Sequence, residues 1–125
     1  MTVQSPAIRY HGGKFRLAPW ILGFFPEHRI YVEPFGGAAG VMIQKPRAYS
    51  EVYNDMDDEL VNFFRVVQDA SQRQQMEAAL LWALYHLQGS RSPIGRPIRR
   101  LLGIGQHDAL TEEQLARAKA FGGAA

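Results

Sequence analysis

The stretch Ile30-Tyr31-Val32-Glu33-Pro34-Phe35-Gly36-Gly37-Ala38-Ala39-Gly40 constrains this chain more than any other. Its apolar, β-branched and aromatic opening predicts a strand buried on both faces. The glycines that follow predict a sharp turn whose backbone carries no Cβ to keep a neighbour away. "AAGVMIQK" then predicts a short helix ended by Pro46, and "YSEVYND" a second strand ending at Asp55. Strand, glycine loop, helix and strand in that order define an α/β layout.

The flanks read as helices. Leu17, Trp20, Ile21, Phe24 and Phe25 recur at i, i+3, i+4, i+7 and i+8, one helical face, with Pro19 in the first turn and Pro26 closing the helix. From Asp57 a third helix is expected, with Leu60, Val61, Phe64 and Val67 on one face and two acidic residues in its first turn, where the helix dipole favours them. Beyond Gln68 no strand signal follows. Met76, Ala79, Leu80, Ala83, Leu84 and Leu87 form a helical stripe, and "GSRSPIGRPIRRLLGIG" reads as a loop region carrying Arg91, Arg96, Arg99 and Arg100. "TEEQLARAKAF" reads as a last helix, with Thr111 and Gln114 as its capping box and Gly122 just past its end.

Composition narrows the function classes. At 125 residues and 46% hydrophobic the chain suffices for one small domain. Its 14 basic and 12 acidic side chains leave a net charge of +2, too little to demand a nucleic-acid partner by itself. The absence of cysteine removes disulfides, thiolate zinc sites and cysteine nucleophiles, and suits a reducing cytoplasm. Apolar stretches are broken well before the roughly 18 residues a membrane span needs, and the N-terminus has no signal-peptide core, so a soluble cytoplasmic protein is expected. His11, His28, His86 and His107 lack metal-ligand spacing, and no metal is expected.

The chemistry concentrates around the glycine loop. An acidic residue about 20 positions further on, at the end of the next strand, is placed to accept the hydroxyls of a ribose. Asp55 meets that description, which suits an adenosine cofactor; a tight turn with an acidic helix cap is the plainer alternative. Dinucleotide sites bring backbone amides to a pyrophosphate, whereas this loop opens with Glu33, which repels phosphate and attracts cations. S-adenosylmethionine has no phosphate and carries a sulfonium and an ammonium group, so the charge balance favours it over NAD. A Rossmann-like nucleotide-binding protein remains the alternative.

Three motifs together resemble one family, the D12-class DNA adenine-N6 methyltransferases, which include the Dam methylases. "RYHGGK" is similar to its N-terminal cofactor motif, an aromatic residue, a small residue, two glycines and a lysine. "YVEPFGGAAGV" is similar to its V-E-P-F-x-G-x-G loop, and "YNDMDDELVNFF" to its acidic motif at the second strand. The resemblance runs over residues 7–69. It implies an incomplete Rossmann-like S-adenosylmethionine-dependent methyltransferase fold, with residues 1–69 as the N-terminal part of the cofactor-binding domain and 70–125 as a helical segment beginning the DNA target-recognition domain.

The same resemblance implies roles for residues. Tyr10 lies against the cofactor, Gly12 and Gly13 allow close backbone approach, and Lys14 reaches its carboxylate. Phe35 helps wall the pocket, the loop with Gly36, Gly37 and Gly40 bends around the methionine part, and Asp55 holds the ribose; Glu33 joins the cofactor-binding candidates through its attraction for a cation. Arg91, Arg96, Arg99 and Arg100 become candidates for phosphate contacts with double-stranded DNA, against the alternative of a solvated basic loop. One departure matters: the family's catalytic motif is Asp-Pro-Pro-Tyr or a close variant, and this sequence has no adjacent prolines. No catalytic residue is therefore assigned. The chain is expected to be inactive alone or to need a further, C-terminal catalytic portion; a remnant that binds cofactor or DNA without chemistry is the other outcome.

Overall fold

The sheet is built from two short parallel strands, β1 (Ile30–Glu33) and β2 (Ser50–Tyr53), aligned Ile30 to Ser50, Tyr31 to Glu51, Val32 to Val52 and Glu33 to Tyr53. The structure, a computed structural model, describes residues 3–87 and 92–123. Around the sheet the chain forms α1 (Ala18–Leu22), α2 (Asp58–Gln68), α3 (Ala70–His86), α4 (Gly95–Leu102) and α5 (Glu112–Gly123). The fold is thus mixed helix and small sheet. It divides into two compact units, Met1–Phe64 and Arg65–Ala125.

In the first unit the pleat sorts side chains by face. Paired residues of parallel strands point the same way, so Tyr31, Glu33, Glu51 and Tyr53 share one face and Ile30, Val32, Ser50 and Val52 the other. The tyrosine face is covered by the end of the crossover between the strands. There the Lys45 side chain is 1% exposed, its Nζ sits 2.6 Å from Glu51 Oε1 and donates to the Pro46 carbonyl at 2.7 Å. The same ammonium lies 4.7 Å from the Tyr31 ring centre. The Ala48 amide and then Lys45 hold the Glu51 carboxyl below the ordinary carboxylate range. The opposite face stays open, with Ile30 66% and Val32 51% exposed. The expectation of a strand buried on both faces is corrected to one covered face, because the crossover lies on one side of the sheet.

Two further local expectations change. The helix expected over "AAGVMIQK" reduces to isolated turns, with Ile43 N–H donating to the Ala39 carbonyl at 3.0 Å and Lys45 N–H to Val41 at 3.1 Å. Ala39 has a φ of +54°, which no right-handed helix accommodates, and Pro46 stops propagation, so the segment is too short to offset nucleation. α1 has Pro19 in its first turn as expected but is five residues long and buries Ala18. Leu17, Trp20 and Phe24 are exposed; the two rings pack edge to face at 4.9 Å.

The second unit is helical. Asp69 caps α3 by accepting from the Gln72 amide at 2.8 Å. α3 packs along α5 and α4, and Leu81, Leu84, Ile98, Leu110 and Ala118 form the buried core, with Leu80, Ala83, Leu102 and Leu115 around it. Of the stripe expected on α3, Leu84 is buried and Leu80, Ala83 and Leu87 pack against the core, but the most buried residue is Leu81, which lies outside that stripe. The presumed loop around residue 97 is instead α4: Pro97 falls in its first turn, where no amide is required. Gly103, φ +68°, ends it in a Schellman motif, with Ile104 N–H donating to the Arg99 carbonyl at 2.9 Å. The capping box of α5 forms as read, Gln114 N–H to Thr111 Oγ1 at 3.2 Å and Thr111 N–H to Gln114 Oε1 at 2.8 Å. Gly122, expected past the helix, lies within it and against the Trp82 indole.

The buried lysine yields an asymmetric prediction. Glu51→Ala strands a desolvated ammonium and should cost about 3 kcal/mol, whereas Lys45→Met, which leaves a carboxylate that water can reach, should cost about 1 kcal/mol. Urea unfolding of both variants checks the order; equal losses would show that the pair acts as an ordinary surface contact.

Candidate functional site

The carboxyl ends of β1 and β2 deliver two loops to the same place. The ladder continues beyond the strands, with Asn54 N–H donating to the Glu33 carbonyl and Gly36 N–H to the Asn54 carbonyl, both at 2.8 Å. The three residues at the end of β2 then grip the glycine loop. The Tyr53 hydroxyl donates to the Gly37 carbonyl at 2.6 Å, Asn54 Nδ2 to the Pro34 carbonyl at 2.9 Å, and the Gly37 amide donates to Asp55 Oδ2 at 2.8 Å. The second Asp55 oxygen accepts from the Asp57 amide at 2.9 Å, turning the chain towards α2.

The N-terminal segment packs onto the same loop. Gly13 N–H donates to the Tyr10 carbonyl at 3.0 Å around Gly12, whose φ of +78° needs glycine. A Cβ on Gly37 would lie 3.2 Å from the Tyr10 ring, and one on Gly40 would lie 2.7 Å from the Phe15 nitrogen. Gln44 Nε2 joins the two pieces by donating to the Phe15 and Gly40 carbonyls, each at 2.8 Å. Tyr10, Gly12, Gly13, Gly36, Gly37, Gly40 and Asp55 are therefore parts of one assembly formed from three stretches of sequence. Lys14 and Phe35 are exposed beside it, and Glu33 accepts from the Tyr31 hydroxyl at 2.7 Å.

Electrostatics keep Asp55 ionised. The Asp57 and Gly37 amides hold its carboxyl below the ordinary value, since both bonds favour the charged form. Burial, then the charges of Asp55 and Glu33, push the Tyr53 phenol up to about 12, so it stays a neutral donor. Burial and the hydrogen bond to Glu33 raise Tyr31 as well.

Sequence reading missed three contributors. Tyr53 and Asn54 immediately precede the acidic residue, and only the aspartate was read. Gln44 carries no sequence signal for joining the two pieces, because the partner that ties it to the N-terminal segment, Phe15, lies 29 residues back. A fourth feature is Ala39, buried and at φ +54°. It stands where the V-E-P-F-x-G-x-G pattern has its second glycine. A left-handed alanine is disfavoured by about 1 kcal/mol, a strain that the contacts on either side sustain.

The basic residues separate by role. Arg99 Nη1 donates to the Gly105 and Asp108 carbonyls, each at 2.8 Å, and so ties down the chain after α4. Arg96 is exposed and Arg100 half-buried, four residues apart on α4. Arg91 lies outside the described residues. Among the described residues no group of His, Asp or Glu is placed to hold a metal ion, and no helix is long and apolar enough to cross a membrane.

Residues 10–91 match the D12 class N6 adenine-specific DNA methyltransferase family, a span that begins at Tyr10 and includes the whole loop assembly. The chain belongs to this family. The match continues beyond residue 69 through α3, so in this methyltransferase chain it covers more than the three motifs. No curated protein matches the chain significantly.

Two measurements test the site. Gly40→Ala drives a methyl group into the backbone of Phe15, which no rotamer change relieves, and should cost about 1–3 kcal/mol in urea unfolding. The Asp55 carboxyl is lower in the folded than the unfolded state, so its contribution is full above the ordinary carboxylate value and is lost as pH falls through the folded value. The Gly37 amide resonance should accordingly titrate below the ordinary aspartate range, and lose that titration in Asp55→Asn.

Proposed function

We propose that this chain provides the S-adenosylmethionine-binding half of a site-specific DNA adenine-N6 methyltransferase. The observation that carries the reading is the ionised Asp55 bonded to Gly37 at the carboxyl end of the sheet, with the Tyr10 ring against the same glycine. The carboxylate has acceptor capacity beyond the backbone amides it binds, so Asp55 can also accept from the two ribose hydroxyls. The Tyr10 and Phe35 rings offer apolar surface to an adenosyl group, and Glu33 favours a cation over a phosphate. Lys14 is placed on the segment that would meet the methionine carboxylate. Gly36, Gly37 and Gly40 permit close backbone approach at the methionine part, with Gly12 and Gly13 doing so from the N-terminal side. The donor set fits the cofactor, which when bound supplies an electrophilic methyl group.

In this reading the sheet is part of an incomplete Rossmann-like fold, supported by the open face of Ile30, Val32 and Val52. Residues 1–69 form the N-terminal part of the cofactor domain and 70–125 the start of the target-recognition domain. Double-stranded DNA is the partner, and the cytoplasm is the compartment in which it would be met. Arg91, Arg96 and Arg100 contact phosphates, while Arg99 has Nη1 committed within the chain and acts mainly as a support. No residue receives the target adenine's amine, since no Asp-Pro-Pro-Tyr type motif is present; the transfer step requires that motif from a further polypeptide segment.

Calorimetric titration tests the reading. S-adenosylmethionine should bind, NAD and ATP should not, and Asp55→Ala should weaken binding at least about tenfold, the size expected from losing a charge-assisted hydrogen bond. Preference for NAD would sink the assignment. Purified chain should show no methyl transfer to adenine-containing duplex, and turnover in that assay would overturn the half-site proposal.

A further inference from the structure

Resting on the cofactor reading above, we propose that Tyr53, with Asn54 beside it, is a positioning residue that holds the glycine loop ready for its ligand. Three observations converge on it. The Tyr53 hydroxyl bonds the Gly37 carbonyl at 2.6 Å, so Gly37 is held from the carbonyl side while Asp55 holds its amide at 2.8 Å. The Tyr53 ring lies directly against Gly36, where a Cβ would collide with it. The ring is itself fixed from behind by Phe64 of α2, with centres 4.7 Å apart.

Asn54 repeats the arrangement one residue on. Its side chain donates to the Pro34 carbonyl at 2.9 Å and its backbone carbonyl accepts from Gly36 at 2.8 Å. Pro34, Gly36 and Gly37 are thereby fixed through four backbone polar groups by Tyr53, Asn54 and Asp55. A loop without side chains has few means of ordering itself, and glycine loses more conformational freedom on ordering than any other residue. Holding it from the neighbouring strand moves that ordering from the binding step to the folding step, which raises affinity without any new ligand contact. The phenol remains a neutral donor because burial and the nearby carboxylates oppose its ionisation.

Tyr53→Phe isolates this role, since it keeps the ring against Gly36 and Phe64 and deletes the hydroxyl. Hydrogen exchange in the chain alone should accelerate at the Gly36 and Gly37 amides by about threefold to tenfold, the equivalent of one neutral hydrogen bond, with α3 and α5 unchanged. The Kd for S-adenosylmethionine should rise by a similar factor, while that for adenosine, held through Asp55, stays within about twofold. Asn54→Ala should accelerate exchange at Gly36 in the same way. Unchanged exchange in Tyr53→Phe would overturn the proposal, and so would faster exchange with unchanged S-adenosylmethionine affinity. Faster exchange throughout α3 and α5 would reduce Tyr53 to a general stability role. Failure of the unsubstituted chain to bind either ligand would sink the cofactor reading instead, leaving the exchange arm to decide whether Tyr53 holds the loop.

Discussion

Everything at the candidate site depends on the last rung of the parallel pair, Glu33 opposite Tyr53. With that register the chain leaving β1 and the chain leaving β2 emerge side by side, and Tyr53 with the two residues after it bonds Pro34, Gly36 and Gly37. A slip by one residue would send Tyr53 to the open face and remove its ring from Gly36. Lys45 helps maintain the register from the other end, because its ammonium is tied to Glu51 on β2 and lies over Tyr31 on β1. A buried ion pair of this kind contributes less to net stability than to uniqueness of arrangement, since misplacing either partner leaves a charge without compensation.

The two units solve the burial problem differently. Arg65–Ala125 encloses leucine and isoleucine side chains among three helices, with both cap motifs of α4 and α5 complete. Met1–Phe64 buries mostly small residues, Ala18, Ala38, Ala39 and Val41, and leaves Trp20, Phe24, Ile30 and Phe35 exposed. Small buried side chains let backbones come close, which is what the contact between Gly40 and Phe15 requires. The first unit therefore relies on hydrogen bonds between backbone and side chain more than on an apolar interior. Its specificity resides in Tyr53, Asn54, Asp55 and Gln44, each a polar side chain satisfied by a named carbonyl or amide.

Much of this was legible in one dimension. Both strands, α2, α3 and α5, the Thr111–Gln114 box and the pairing of the glycine loop with Asp55 follow from periodicity, capping chemistry and spacing, while the place of Tyr10 beside that loop was implied by the family resemblance. What failed were judgements of environment. Trp20 and Phe24 satisfy a helical period yet face outward, because periodicity identifies a face without supplying a layer to cover it. Pro97 and Gly95 carry loop propensity, yet both fall in the first turn of α4, where neither breaks anything. Ala39 breaks the expected crossover helix through a left-handed φ that its residue type disfavours.

By itself the sequence determined the order of elements and the chemical identity of the loop, because glycine placement, strand character and an acidic strand end are local properties. It also carried the family, since three motifs in order are a one-dimensional pattern. Only the tertiary structure decided which side chains hold that loop. Gln44 reaches Phe15, and Tyr53 reaches Gly37 across 16 residues, contacts set by strand register and chain reversal. Hydrogen bonds between residues distant in sequence depend on where the backbone returns in space, and no residue-by-residue preference encodes that return.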